Sequence, residues 1–408
     1  MYKRENKFIF DAGKVTWLWS ADKNDSIHIR LSFGFDHKID GCKLLSAWKK
    51  TMKVYPLLDC IPNGDSGHMI FSSAPDSIRV IESDSPVTPC TELSAGRGIS
   101  LSYHDDVITL AAYHSLMDGT GMISVVKTLI YNYCCIYFGE NFDSSGFMIT
   151  ENRNPEEYYK TQHNIKLGKY TPMPMATFPE NEEFFFDPQM KPPAEGKIIS
   201  SCLSIPVENF IAFCKKHKAT PSVMLCILFG RAAYGLSDSE RRSMAFAVTM
   251  DLREATEIKD AIGQFSASGI LTASYDEIMN APISETASSL RSALNKQRSK
   301  DYIKTSIAMF RTYDMFQTTC SAVISYEGKI DFGSCGAHIQ QMSMLNNTSN
   351  TLHMVEFKNN FLLFCQFGLA TERYMNAIFN ELKKADIDAK IVAEPKPAKQ
   401  EITDLKVD

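Results

Sequence analysis

The 408-residue chain contains no Cys-x-x-Cys pair and no cysteine–histidine array at zinc spacing, so its eleven cysteines form no metal or redox motif. Their number is odd, and several, such as Cys226 and Cys365, lie inside apolar runs. That pattern suggests buried thiols in a reducing compartment and argues against a disulfide frame. Also missing is any long Lys/Arg block. With a net charge of −5 and a pI of about 6.0, the chain has no electrostatic reason to seek nucleic acid or anionic lipid. No window offers the run of about eighteen uninterrupted apolar residues of a membrane span. The start of the chain carries Lys3, Arg4, Glu5, Lys7 and Asp11 and lacks an apolar secretory core. No Gly-x-Ser-x-Gly elbow occurs, which removes the usual serine-hydrolase signature. The expectation is a cytoplasmic protein, monomeric, with neither a nucleic-acid nor a membrane partner.

Hydrophobic residues make up 44% of the chain and charged residues 22%, an ordinary globular composition. The length favours two domains or one large unit. From Ile27 to Phe35 apolar residues alternate with others, the period of a half-buried strand. Asp40 can then cap a helix with Leu44, Leu45, Trp48 and Met52 on one face, ended by Pro56. Ile99 to Tyr103 and Val107 to Tyr113 read as a hairpin turned at His104-Asp105-Asp106. Beyond Gly121 the residues Met122, Val125, Val126, Leu129, Ile130, Tyr133 and Tyr137 mark one helical face.

Between residues 151 and 196 stand Pro155, Pro172, Pro174, Pro179, Pro188, Pro192 and Pro193, a density incompatible with a central helix or strand. This segment reads as a crossover linker between an N-terminal half, 1–150, and a C-terminal half, 197–390. In the second half the pattern predicts strands over 200–205, 245–252 and 320–326, and a hairpin over 352–357 and 361–367. Helices are expected over 208–216, from Thr220-Pro221 to about 234, over 284–296 and over 372–383. Residues 391–408 read as a mobile tail.

The segment His114-Ser115-Leu116-Met117-Asp118-Gly119 falls between a predicted strand and a predicted helix. An imidazole is largely neutral near neutral pH and can take a proton from a hydroxyl or amine as it attacks a carbonyl. Asp118 can orient the histidine or hold the turn, and Gly119 permits a sharp backbone bend.

These six residues resemble the His-x-x-x-Asp-Gly signature of the chloramphenicol-acetyltransferase-like superfamily, which includes condensation domains, alcohol acetyltransferases and the plant BAHD acyltransferases. Further elements are similar to that superfamily's: Asp251-Leu252-Arg253 followed by Gly263-Gln264-Phe265, then Ser325-Tyr326-Glu327-Gly328, then Asp331-Phe332-Gly333-Ser334-Cys335-Gly336. Together they span roughly residues 27 to 385. Tyr113 stands where many relatives carry a first histidine. Gln264 and Tyr326 replace asparagines, and Ser334-Cys335 replaces a tryptophan, which sets the chain apart from the plant branch.

The resemblance implies an α/β fold of two mixed-sheet halves with an active-site tunnel between them. It implies an acyl-CoA-dependent O- or N-acyltransferase in which His114 is the general base and no acyl-enzyme forms. Asp118 then supports the loop, with Gly119 beside it and Arg253 as its ionic partner, and Ser325 is the candidate oxyanion donor. Acyl-CoA enters as a co-substrate and no cofactor or metal is permanently bound. The acceptor is a small-molecule alcohol or amine. Two alternatives stand beside this: a catalytically silent relative that binds a ligand or carrier protein, and a standalone condensation-type enzyme using a carrier-protein thioester. No carrier or adenylation domain lies within these residues, which leans towards free coenzyme A.

Three other patterns read better as ordinary structure. Gly64-Asp65-Ser66-Gly67-His68 resembles a protease nucleophile loop but lacks upstream partners and suits a turn. Gly119-Thr120-Gly121 lacks the third glycine of a dinucleotide loop, where Ser124 stands. His104-Asp105-Asp106 is simply a solvated turn with no partner cluster for a metal.

Overall fold

A computed structural model describes residues 9–13, 27–65, 68–75, 78–162, 165–178, 182–190, 199–237, 241–312, 320–346, 348 and 350–393. The first elements in chain order are β1 Ile9–Gly13, β2 His28–Phe35, α1 Gly41–Val54, β3 Cys60–Asp65, β4 His68–Ser73, β5 Ile81–Glu82, β6 Ile99–His104, β7 Val107–Tyr113 and α2 Gly119–Phe138. After them come α3 Pro155–Tyr158, β8 Ser201–Pro206, α4 Val207–Lys216, α5 Pro221–Gly235, β9 Met244–Asp251, α6 Arg253–Thr256 and β10 Ser266–Ala273. The remainder are α7 Tyr275–Met279, α8 Ile283–Gln297, α9 Lys300–Thr312, β11 Ala322–Lys329, β12 Ile339–Asn346, β13 Thr351–Phe357, β14 Asn360–Gln366, α10 Thr371–Lys384 and β15 Lys390–Val392.

The local signals act as their chemistry dictates. Asp40 caps α1 by accepting from the Lys43 amide at 3.0 Å, and the helix gives way to a short turn at Pro56. Thr220 caps α5 in the same way, with Pro221 supplying a preset backbone angle in the first turn. By length and composition α2 could cross a bilayer. Yet 56% of its most apolar window is buried inside the fold, and it packs on α1, as a core helix does.

Two large mixed sheets carry the architecture. One runs β12-β2-β7-β6-β5 and the other β10-β9-β11-β13-β14-β8-β15, with a separate three-stranded sheet β1-β4-β3. The helices α5, α8 and α10 cover one face of the seven-stranded sheet. Because side chains alternate along a strand, Leu352 and Met354 of β13 join those helices in one core. Val355 and Phe357 instead join the core built around β2, β7, α1 and α2. The other face of the large sheet therefore abuts the N-terminal half.

Several elements have no counterpart in the sequence reading, among them the small sheet β1-β4-β3 and the elements β5, α7, β10, α9, β12 and β15. β12 crosses over to pair antiparallel with β2 as an edge strand of the N-terminal sheet, with Met344 opposite Leu31. Gln340 and Gln341 break its apolar run, and β10 is an edge strand of small residues, so neither shows a clear period. Between 151 and 196 the described regular structure is α3 and one 3-10 turn, Pro188–Met190. The expected tail, 391–408, starts too early: Ile391 and Val392 belong to β15, which pairs antiparallel with β8, and backbone pairing with that strand holds the segment in place. Its residues beyond 393, and Ser66 and Gly67 of the protease-like loop, lie outside the described residues. His104-Asp105-Asp106 forms the β6–β7 turn, with Asp105 at φ 51° and ion-paired to Lys38 at 3.0 Å.

Candidate active site

β7 ends at Tyr113 and α2 begins at Gly119, so the motif occupies the tight connection between an inner strand and a core helix. The His114 amide donates to the Ile27 carbonyl at 2.7 Å, which ties the turn to the start of β2. From the linker, the Tyr159 hydroxyl donates to the Leu116 carbonyl at 2.7 Å. His114 is partly buried, and its Nδ1 is enclosed without a hydrogen-bond partner. Burial pulls its pKa below the ordinary histidine value, against the opposing pull of nearby carbonyls and the Asp118 charge. The imidazole is thus held in its neutral, proton-accepting form.

Asp118 is buried and fully engaged. Its Oδ1 accepts from the Gly121 amide at 2.9 Å and from Arg253 Nη2 at 2.7 Å. Its Oδ2 accepts from Arg253 Nη1 at 2.9 Å and from the Phe265 amide at 2.7 Å. The carboxylate so caps α2 and clamps that helix to the second half of the chain. Arg253, only 4% exposed, gives its remaining N–H groups to the carbonyls of Ala261 and Gly263 and to Asp251, at 2.8, 3.1 and 3.0 Å. All five guanidinium donors therefore have acceptors. Although burial works against the charge, the two carboxylates hold its pKa above the ordinary arginine value. The structure brings Asp118 and Arg253 together as a bidentate pair, well placed to fix a turn.

Gly119 departs from its expected part. Its φ is not in the positive region, so no unusual bend demands glycine there. The demand comes from crowding: a Cβ at this position would lie 2.8 Å from Glu327 Oε2 and 2.9 Å from Met344 Cε. Gly121 is tighter still, since a Cβ there would collide with the Ile262 carbonyl.

Facing this turn is a polar row across the large sheet. β9, β11 and β13 run parallel, and their register aligns Val248 with Ile324 and Ser325 with His353. Ile324, Val248 and Leu352 point to the helix-covered core. Thr249, Ser325 and His353 consequently point to the N-terminal half. Thr249 Oγ1 lies 3.2 Å from Ser325 Oγ, and Ser325 Oγ donates to Glu327 Oε1 at 2.6 Å. The O–H of Ser325, the candidate oxyanion donor, is thus already engaged in a hydrogen bond to Glu327. His353 is 7% exposed, and neither ring nitrogen has a hydrogen-bond partner. Burial, with the adjacent His114, pushes its pKa down to about 3.

Sequence reasoning missed Thr249, Glu327 and His353. The available signal was weak: His353 is one polar residue in the apolar run Leu352-His353-Met354-Val355, at an inward position of a strand. Of the other motif residues, Gln264 donates to Ser266 Oγ at 2.9 Å. Phe332 packs edge-on against Phe33 with centroids 5.4 Å apart, so the Asp331–Gly336 segment joins the N-terminal core and leads into β12. One group among the described residues has donor atoms mutually close enough for a metal, within 4.8 Å: Asp36, His37 and His338. It lies past the far end of β2 from the His114 turn, about 26 Å along the strand.

No family model matches the chain, and no curated protein does. Solved structures do. TRI101 of F. sporotrichioides, complexed with coenzyme A and T-2, superposes with a TM-score of 0.63 at 14% identity, covering 94% of this chain and 99% of that one. Polyketide synthase associated protein 5 of Mycobacterium tuberculosis gives 0.60 at 14% identity, covering 87% and 93%. The epimerization domain of tyrocidine synthetase B gives 0.55 at 10% identity, covering 89% and 92%. The chain therefore has the chloramphenicol-acetyltransferase-like fold of two mixed-sheet halves.

Proposed function

We propose that this protein is an acyltransferase that moves an acyl group from a coenzyme A thioester to a hydroxyl or amine of a small molecule, with His114 as general base. The observation that carries the reading is a neutral imidazole with an enclosed, unpartnered Nδ1 on a turn clamped between the two halves by Asp118 and Arg253. A base must hold its place and stay unprotonated, and this arrangement provides for both. The acceptor's proton passes to His114 as its oxygen or nitrogen attacks the thioester carbonyl carbon. Collapse of the tetrahedral intermediate expels the thiolate, which takes the proton back from the imidazolium. Asp118 keeps the turn in place and exchanges no proton, since both its oxygens are filled by donors that do not leave.

Likeness to TRI101 bound to coenzyme A supports the free thioester as donor. A second reading, a condensation-type enzyme fed by a carrier-protein thioester, is supported by the likeness to a condensation domain at a TM-score of 0.52. A screen of acyl-CoA and carrier-bound thioesters against pools of alcohols and amines, read by product mass, separates the two. Product from acyl-CoA alone is the expected result. Product only from carrier-bound donors would shift the assignment, and none from either would remove it.

A further inference from the structure

Glu327 has no part in the reaction as described so far. It lies on β11 two residues beyond Ser325; the register with β13 shifts between Tyr326 and Lys329, and it is the 2.6 Å hydrogen bond to Ser325 that puts both side chains on the same side of the strand. Thr249 can donate to Ser325, and Ser325 donates to Glu327 Oε1, so this relay ends on the carboxyl group. The other oxygen, Oε2, makes no hydrogen bond among the described residues. It lies against Gly119, at the first turn of α2 and five residues beyond His114. The charged groups around the carboxyl are the Asp118 and Asp251 carboxylates and the Arg253 guanidinium. Arg253 cannot pair with it, because all five of its N–H groups are used elsewhere. His353 pairs in register with Ser325 from the neighbouring strand β13, and it lies close enough to His114 to feel its charge.

We infer that the neutral carboxylic acid of Glu327, and not the hydroxyl of Ser325, is the hydrogen-bond donor to the oxygen of the tetrahedral intermediate, with Thr249 and Ser325 holding it in place. The inference rests on the acyl-transfer reading. When the acceptor attacks, the carbonyl electron pair moves onto oxygen and the Glu327 O–H meets that charge. When the carbonyl re-forms and the thiolate leaves, Glu327 keeps its proton and is unchanged. Ser325 is a positioning residue in this scheme. The surroundings favour the neutral acid: burial pushes Glu327 up to about 7, and the Asp118 and Asp251 charges push the same way, against the Ser325 hydrogen bond and Arg253. His114 moves the opposite way, so the neutral base and the neutral acid coexist.

The test is kcat/KM from pH 5 to 9 with an alcohol acceptor that does not titrate, for wild type, Glu327→Gln, Glu327→Ala, Ser325→Ala and His114→Gln. Wild type should give a bell, rising below pH 6.5 and falling through about 7. Glu327→Gln keeps a donor, so it should stay within about tenfold of wild type at pH 6 and lose the alkaline fall. Glu327→Ala should lose about 10²–10³, in kcat more than in KM. Ser325→Ala should lose less, because the carboxyl remains. A wild-type profile flat above pH 7, an alkaline fall retained by Glu327→Gln, or a larger loss in Ser325→Ala than in Glu327→Ala would overturn the inference. In those cases inactivity of His114→Gln leaves the acyl-transfer reading standing. Absence of turnover by wild type overturns both.

Discussion

The molecule holds two pairs of histidines that differ in one decisive respect, a carboxylate partner, although His37 Nε2 is also buried without a hydrogen bond. His37 and His338 both turn Nδ1 onto Asp36, at 2.5 and 3.0 Å, and each lies flat on a ring, His37 on Tyr137 at 4.0 Å and His338 on Phe138 at 4.1 Å. Although burial opposes it, those two contacts hold the Asp36 carboxyl below its usual range. The set joins the end of β2 to the start of β12, where the Asp36 amide also donates to the His338 carbonyl at 3.0 Å. His114 and His353 lie at the junction of the two halves with no partner on His114 Nδ1 or on either nitrogen of His353. A buried polar atom without a partner costs stability, on the order of 1–3 kcal/mol. Histidines bonded to a carboxylate fasten a seam, whereas histidines left unsatisfied in an interior are suited to a bound substrate.

The sharpest way to break this comparison is to loosen the clamp behind His114. Asp118→Asn and Arg253→Met each strand a buried partner and should cost about 3–5 kcal/mol by denaturant unfolding. The double variant should lose less than the sum, with a coupling of about 0.5–3 kcal/mol, and additive losses would deny the contact. Gly121→Ala drives a methyl group into the Ile262 carbonyl and should cost about 1–3 kcal/mol. A neutral effect would mean that the packing of α2 against the second half is looser than drawn here.

The buried position of His353 should also show in the pH dependence of stability. His353 has its folded pKa pushed down to about 3, so between that value and about 6.5 the unfolded chain binds the proton that the folded chain refuses. Its contribution is harmless above about pH 6.5 and destabilises progressively as pH falls through the window, by up to ~1.4 kcal/mol per unit. Thermal unfolding of His353→Gln should show a shallower acid slope than wild type. At the other pair, His338→Ala removes one partner of a partly exposed hydrogen bond to Asp36 and should cost under about 1 kcal/mol. Its kcat/KM should match wild type. A large activity loss in that variant would erase the distinction between fastening and chemical histidines.

Much of this was legible in the chain. The Asp40 and Thr220 caps, the β6–β7 hairpin and the position of His114 between strand and helix all follow from local chemistry, and β2 was found as a strand although it is buried on both faces and not half-buried as its alternation suggested. The resemblance supplied the two-half fold and named Arg253 as the partner of Asp118. β12 was not legible, because its place is decided by pairing with β2 some three hundred residues away and its glutamines break the pattern. Nor was the polar row. Thr249, Ser325 and His353 belong to three strands whose alignment is set by register, which no single segment encodes. Gly119 was noticed for the wrong physical reason, as a bend when the constraint is the approach of Glu327.

The most direct measurement is turnover by His114→Gln with an acyl-CoA donor and an alcohol acceptor at pH 6.5, against wild type, with thermal unfolding of both as a check on the fold. The account predicts a kcat/KM lower by about 10²- to 10⁴-fold, donor affinity nearly intact and a melting temperature close to wild type. Near-normal turnover by that variant would contradict it.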